Sequence, residues 1–264
     1  MELIGSKLMG NNEIENKLRI CRDRYAMFLF GKMRANVSFP WTWQAETVSK
    51  IWPSMRVAHE YYPIAYATSL FAEVYCDKGS PLCREETILN AAVKGFKKVC
   101  TIQQEDGWFP PDPNSQMFYM PPLLHARNKL SNFLDSETLA KWDAHLKRGL
   151  KRLIKCDVRP GYVNIRMLKA LALWMGYTIY DDRLWLDECL SALDPSARYQ
   201  FPSGAYAYDG SGLWIWGIRP SLSYQSFVGI ILYVIGHALG RQDFIERALR
   251  VAKFTLHFIT EGGE

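Results

Sequence analysis

The chain lacks the motifs that most readily betray a chemistry. It has no CxxC pair, no HExxH, no phosphate-binding glycine loop and no dinucleotide fingerprint, so the usual marks of zinc, nucleotide and hydride chemistry are missing. Lys and Arg never gather into a block of the kind that binds nucleic acid, and the formal net charge is a mild +5 spread along helical faces. The longest apolar run, "FVGIILYVIG" at 227–236, falls far short of the ~20 residues of a membrane span. "MELIGSKLMGNNEIENK" carries no apolar stretch of signal-peptide length. The six cysteines (Cys21, Cys76, Cys83, Cys100, Cys156 and Cys189) are scattered, several of them on apolar helical positions, where a thiol packs as a small hydrophobe. These features predict a reduced, cytoplasmic protein with no nucleic-acid or membrane partner, no cofactor and no metal, and they leave the oligomeric state open.

Strand signals are equally scarce, with no sustained alternation and no Asn-Gly or Asp-Gly hairpin between β-branched runs. What is present is helical periodicity. Over 84–102, Ile88, Ala92, Phe96 and Val99 form one stripe, with Lys94, Lys97 and Lys98 off it. Residues 136–155 and 242–259 repeat the design through Leu139, Trp142, Leu146, Leu150 and Leu153, and through Phe244, Ala248, Val251, Thr255 and Phe258. Residues 12–34 and 182–194 are weaker versions. A second kind of helix alternates with these: 61–75, 163–177, 221–239 and 117–134 are apolar nearly all round, the pattern of a helix covered on every side. In the last of them Pro121 and Pro122 are expected to kink the helix or delay its start.

One-sided helices alternating with all-round-apolar ones predict two concentric layers. The fold class read from this is all-α, an α/α toroid built of antiparallel helical hairpins, over a single domain spanning 1–264; an irregular helical bundle is the alternative. With about four and a half hairpins the ring is expected to be incomplete or open, or the chain to be the amino-terminal part of a longer protein.

A short motif recurs where an outer helix hands over to an inner one. Gln103-x3-Gly107-x-Phe109 matches Gln200-x3-Gly204-x-Tyr206. Its glycine is read as ending the helix in a left-handed conformation and its aromatic as folding back onto the hairpin. Its glutamine is expected to bond backbone groups left open at the helix end. The face where inner helices begin then collects Trp108, Asp112, Arg166, Tyr206, Asp209, Trp216 and Arg219, with Trp41, Trp43, His59, Glu60, Tyr61, Asp106, Arg159, Tyr162 and Trp214 around them. Aromatic platforms among Arg, Asn and carboxylates suit stacking and hydrogen bonding to sugars, and the basic members suit an acidic one.

The alternation, "FKKVCTIQQEDGWF", "VNIRMLKALALWMGYTIYDDRLWLDECLSAL" and "SYQSFVGIILYVIGHALGRQDF" together resemble the α/α-toroid domain of heparinase II/III-like polysaccharide lyases, over roughly 55–260. The resemblance implies β-elimination on an acidic, uronate-containing oligosaccharide. A neutralising residue would hold the uronate carboxylate while a Tyr or His takes the adjacent proton and a Tyr protonates the leaving oxygen. Asn164 matches the neutraliser, with Arg166 two residues on. Tyr224 matches the base or acid, followed by Tyr208, and His125 is a candidate histidine partner. The chain departs from that pattern where Asn164 is followed by Ile165 and Tyr224 by Gln225 rather than by histidine.

Each candidate also has a plainer reading. Asn164 after "RPGY" suits a helix cap, Tyr224 a core tyrosine, and His125, His145 and His257 packed or exposed positions. Glu60 suits a helix dipole and Asp181-Asp182 a helix start. Among other functions, Asp106, Asp112, Asp209 and Glu60 keep a glycoside hydrolase open. The Gln-x3-Gly-x-aromatic loops and "TIYDDRLW" keep open an isoprenoid-cyclase-like enzyme. A glycan-binding or interaction module without catalysis is the remaining alternative.

Overall fold

The computed structural model describes residues 2–33, 56–111, 115–158, 162–206 and 222–258. Among them there are nine α-helices, one 3-10 helix and no strands. The helices are α1 (Glu2–Lys32), α2 (Arg56–Cys76), α3 (Glu86–Cys100), α4 (Ser115–Leu130), α5 (Ser136–Ile154), α6 (Val163–Tyr180), α7 (Arg183–Leu193), α8 (Leu222–Leu239) and α9 (Gln242–Leu256). The 3-10 helix, Asp194–Tyr199, follows α7 directly. The all-helical class is therefore established, and the chain divides into two compact units.

The first unit holds residues 1–115 and 122–146. Here α2 packs along α3 and α1 along α2. The α3 stripe read from the sequence is the buried one: Ile88, Ala92, Phe96 and Val99 lie inside, while Lys94 and Lys97 are exposed. Phe96 stacks flat on Trp142, centroids 3.7 Å apart and planes 3° from parallel. The second unit holds 116–121 and 147–264. There α6 pairs with α7, α8 with α9, and α6 packs against α8.

Two expectations need correction. Pro121 and Pro122 do not delay α4, which starts at Ser115 and runs through both. Each proline removes one helical N–H bond, but Met117, Met120, Leu123 and Leu124 around them are fully buried, and tertiary packing overrides local propensity. The all-round-apolar α8 is not covered on every side either. Ile230 is 63% exposed, and Tyr233 and Val234 are exposed with it; Ile230 and Tyr233 border, with Leu249 and Leu256 of α9, an apolar groove of about 400 Å³.

The recurring loop motif is the same structure twice. In the first copy Gln104 N–H donates to Trp108 O and Gly107 N–H to Gln104 O. In the second, Phe201 N–H donates to Ala205 O and Gly204 N–H to Phe201 O. The glycines adopt φ +92° and +97°, the left-handed region that any side chain resists. Contrary to the expectation from sequence, they do not end the preceding helix; α3 stops at a right-handed Thr101, and the glycine turns the loop beyond it. The glutamine likewise reaches past its own helix. Gln103 Nε2 donates to Gly107 O and to His145 O in α5, and Gln200 Nε2 to Gly204 O and to Arg247 O in α9. A carbonyl has two lone pairs and the helix uses one, so a mid-helix carbonyl can accept this second donor. Phe109 and Tyr206 end buried.

Gly204 tests the clamp. A Cβ there would collide with the Arg250 carbonyl group and be held at φ +97°. Gly204→Ala is expected to cost about 2–3 kcal/mol, the sum of left-handed strain and displaced backbone, read as a lowered urea midpoint with unchanged helical circular dichroism before the transition.

Candidate functional site

In the second unit, α6 begins without a side-chain cap. Its N-cap is Tyr162, which makes no capping bond, and no acid stands in the first turn. Asn164 is therefore not the cap that its sequence position suited. It lies inside the first turn, only 6% exposed, and its Oδ1 has no hydrogen-bond partner. Buried amide oxygens are nearly always satisfied, and leaving one open costs about 1–3 kcal/mol. Tyr224 stands in the first turn of α8, the helix packed on α6. It is half-buried, its ring edge-on to Phe227 with centroids 5.7 Å apart. Both lead candidates thus occupy first turns of two helices in direct contact.

Arg166 is not brought to Asn164. Two residues along a helix point to different faces, and Arg166 lines a small cleft with Lys169 of α6 and Glu188 of α7. Tyr206 is not on a surface either, at 1% exposed. Its hydroxyl accepts from Arg247 Nε at 2.9 Å, while its backbone N–H and C=O are both held by the Gln225 amide, at 2.7 and 2.9 Å. Burial pushes its phenol up, with Arg247 opposing. Gln225 is thus a clamp on the returning loop.

In the first unit, His125 meets a carboxylate rather than an open mouth. Its Nε2 lies 3.0 Å from Glu73 Oε2, which also accepts from Lys129 Nζ at 2.9 Å. Arg22 stands 3.8 Å from the other oxygen and bridges Asp23 and Asp77. The bond to His125, with help from Lys129, holds the Glu73 carboxyl down to about 2 against the upward pull of burial. Trp108, also in this unit, is half-buried in the loop turn, its backbone N–H donating to Asp106 Oδ1 at 3.0 Å. Asp182 caps α7 by accepting from Leu184 N–H at 3.1 Å, and Asp181 takes a left-handed conformation. His145 Nδ1 pairs with Gln103 Oε1 at 2.6 Å.

Asp112, Tyr208, Asp209, Trp216 and Arg219 lie outside the described residues, as do Trp41, Trp43, Arg159, Trp214 and the His59 side chain. Among the described residues no three His, Cys, Asp or Glu side chains gather as metal ligands, and no helix is long and apolar enough to cross a membrane. Sequence reasoning missed Arg247 and the Glu73 cluster. Arg247 left a usable signal, because a charged residue three positions after Phe244 falls on the stripe that α9 buries. The Glu73 cluster left none, since its members come from three separate helices.

The Glu73 cluster makes acid stability testable. A carboxylate whose folded pKa lies below its usual value near 4.5 stabilises the fold above that value and loses the contribution as pH falls toward about 2. Glu73→Gln is expected to cost about 1–2 kcal/mol at pH 7 and to flatten the loss of stability between about pH 5 and 2, followed by urea midpoints across that range. No protein-family model matches this chain, and neither does any curated protein or solved structure.

Proposed function

We propose that this chain binds acidic, uronate-containing oligosaccharide and cleaves it by β-elimination, with Asn164 as neutraliser and Tyr224 as the proton-transferring group. The observation that carries this reading is Asn164, buried, uncapping and without a partner for its Oδ1. A polar group that the fold buries but leaves unanswered is suited to a ligand that answers it. Its oxygen accepts a sugar hydroxyl; turned over, the same amide gives its NH2 to a carboxylate. The first-turn N–H groups of α6 add positive potential where no acid competes.

Held this way, the carboxylate acidifies the carbon–hydrogen bond beside it. Tyr224 takes that proton, the electron pair forms a carbon–carbon double bond, and the bond to the leaving oxygen breaks. The proton then passes to the leaving oxygen, so charge and atoms balance. Asp182 and Asp106 are engaged in local turns, which weighs against the cyclase and hydrolase readings. The second reading, an interaction module without catalysis, is favoured by the exposed apolar groove of α8 and α9.

A thermal-shift comparison of uronate and neutral oligosaccharides tests binding. At about a hundred times Kd a ligand adds ~2.7 kcal/mol, which raises Tm by roughly 5–10 °C for a chain of this size. Asn164→Ala should keep its own Tm and lose the uronate shift. Tyr224→Phe should keep the shift and lose at least ~100-fold in formation of the unsaturated, ultraviolet-absorbing product. A shift with neutral sugars alone, or product formed undiminished by Tyr224→Phe, counts against the lyase.

A further inference from the structure

The cleft lined by Arg166 plays no part in the elimination. It encloses about 180 Å³ between the segment that leaves α5, with Asp157 and Val158, the α6 residues Arg166 and Lys169, and the α7 residues Glu188 and Ser191. Arg166 and Lys169 are three apart on one helix and so share a face. Both reach to the end of α5, where carbonyls are left without helical partners. Lys169 Nζ donates to Ile154 O at 3.3 Å and to Cys156 O at 2.9 Å, and Arg166 NH2 donates to Val158 O at 2.9 Å.

That role leaves part of each cation unanswered. Arg166 Nε is buried with no acceptor. Lys169 has a third N–H beyond its two carbonyls. Among the described residues neither cation forms an ion pair, although Asp157 and Glu188 border the same cleft. Burial pushes both the guanidinium and the ammonium down; Tyr199 and Asp157 oppose this at Arg166, where Arg198 adds to it, and Glu188 opposes it at Lys169. The cleft is therefore lined by two cations on α6, Arg166 and Lys169, and by two carboxylates, Asp157 and Glu188, with no ion pair between them.

We propose that this cleft binds a small monocarboxylate that also carries a hydroxyl or amino group. The carboxylate is taken by the Arg166 guanidinium and the remaining Lys169 N–H, and the hydroxyl or amino group donates to Glu188. The volume is that of about six waters, which fits a short hydroxy or amino acid. A dianion such as phosphate is disfavoured, because a second negative charge meets Asp157 and Glu188. Charge-assisted bonds to both walls make such a ligand more than a screening ion.

The test uses the whole chain, with lactate, alanine, propionate and inorganic phosphate as separate probes in thermal shift and titration calorimetry. Lactate or alanine is expected to bind at least tenfold more tightly than propionate or phosphate. Arg166→Lys is expected to lose at least tenfold of that affinity. Glu188→Gln, a change at a partly exposed position on α7, is expected to remove the preference over propionate while carboxylate binding remains; it carries the test if Arg166→Lys fails to fold. Asn164→Ala is expected to leave lactate and alanine binding unaltered, so failure here and failure of the uronate reading are separable. Equal binding of lactate, alanine and propionate, tighter binding of phosphate, insensitivity to Glu188→Gln, or no response to any probe at about 10 mM would each overturn the proposal.

Discussion

Much of the local architecture rests on one interaction, a glutamine amide that holds a loop glycine and a neighbouring helix by their carbonyl oxygens. Gln103 does this to Gly107 and His145, and Gln200 to Gly204 and Arg247. Two donors on one nitrogen suffice, because each helical carbonyl keeps a spare lone pair. The turn that brings the glycine within reach requires a positive φ, and that restricts the residue to glycine. The aromatic two residues later is then delivered into the interior.

The second unit shows how a clamp of this sort recruits buried polar groups. Arg247 gives its carbonyl to Gln200 and its guanidinium to the Tyr206 hydroxyl and to Ser196 Oγ. Gln225 closes the set by pairing with both backbone groups of Tyr206. Every charged or amide group in this network is answered by a protein partner, as burial demands. Against that background Asn164 Oδ1 and Arg166 Nε stand out, since each is buried and unanswered. They mark two separate places on α6, one inside its first turn and one at the cleft that Arg166 shares with α7. Oligosaccharide chemistry is proposed for the first and a small acid for the second.

Helices, the buried stripes of α3 and α5, the first half of the α9 stripe (Phe244, Ala248 and Val251) and the paired loops were legible in the chain because each follows from local chemistry. By contrast, Phe258, read onto the same stripe, lies past the end of α9 and is 52% exposed. A 3.6-residue apolar period specifies which face is buried, and a glycine in a fixed frame specifies a turn. Capping of α7 by Asp182 was legible for the same reason. The burial of Asn164 was not, since "RPGY" before it reads as an ordinary cap position, yet the N-cap is Tyr162 and the amide is carried inside. His125 was not legible either. Its partner Glu73 lies on another helix, 52 residues away in sequence, and no periodicity reports a contact of that kind.

The sequence by itself thus determined the all-helical class, the faces that α3 and α5 bury and the two glutamine–glycine loops, because those depend on interactions a few residues long. Tertiary structure alone decided that α4 runs through two prolines, that α8 leaves an apolar edge open, and that Arg166 turns from Asn164 toward Lys169 and Glu188. These outcomes depend on which helix lies alongside, and long-range packing energies exceed the local preferences that a sequence displays.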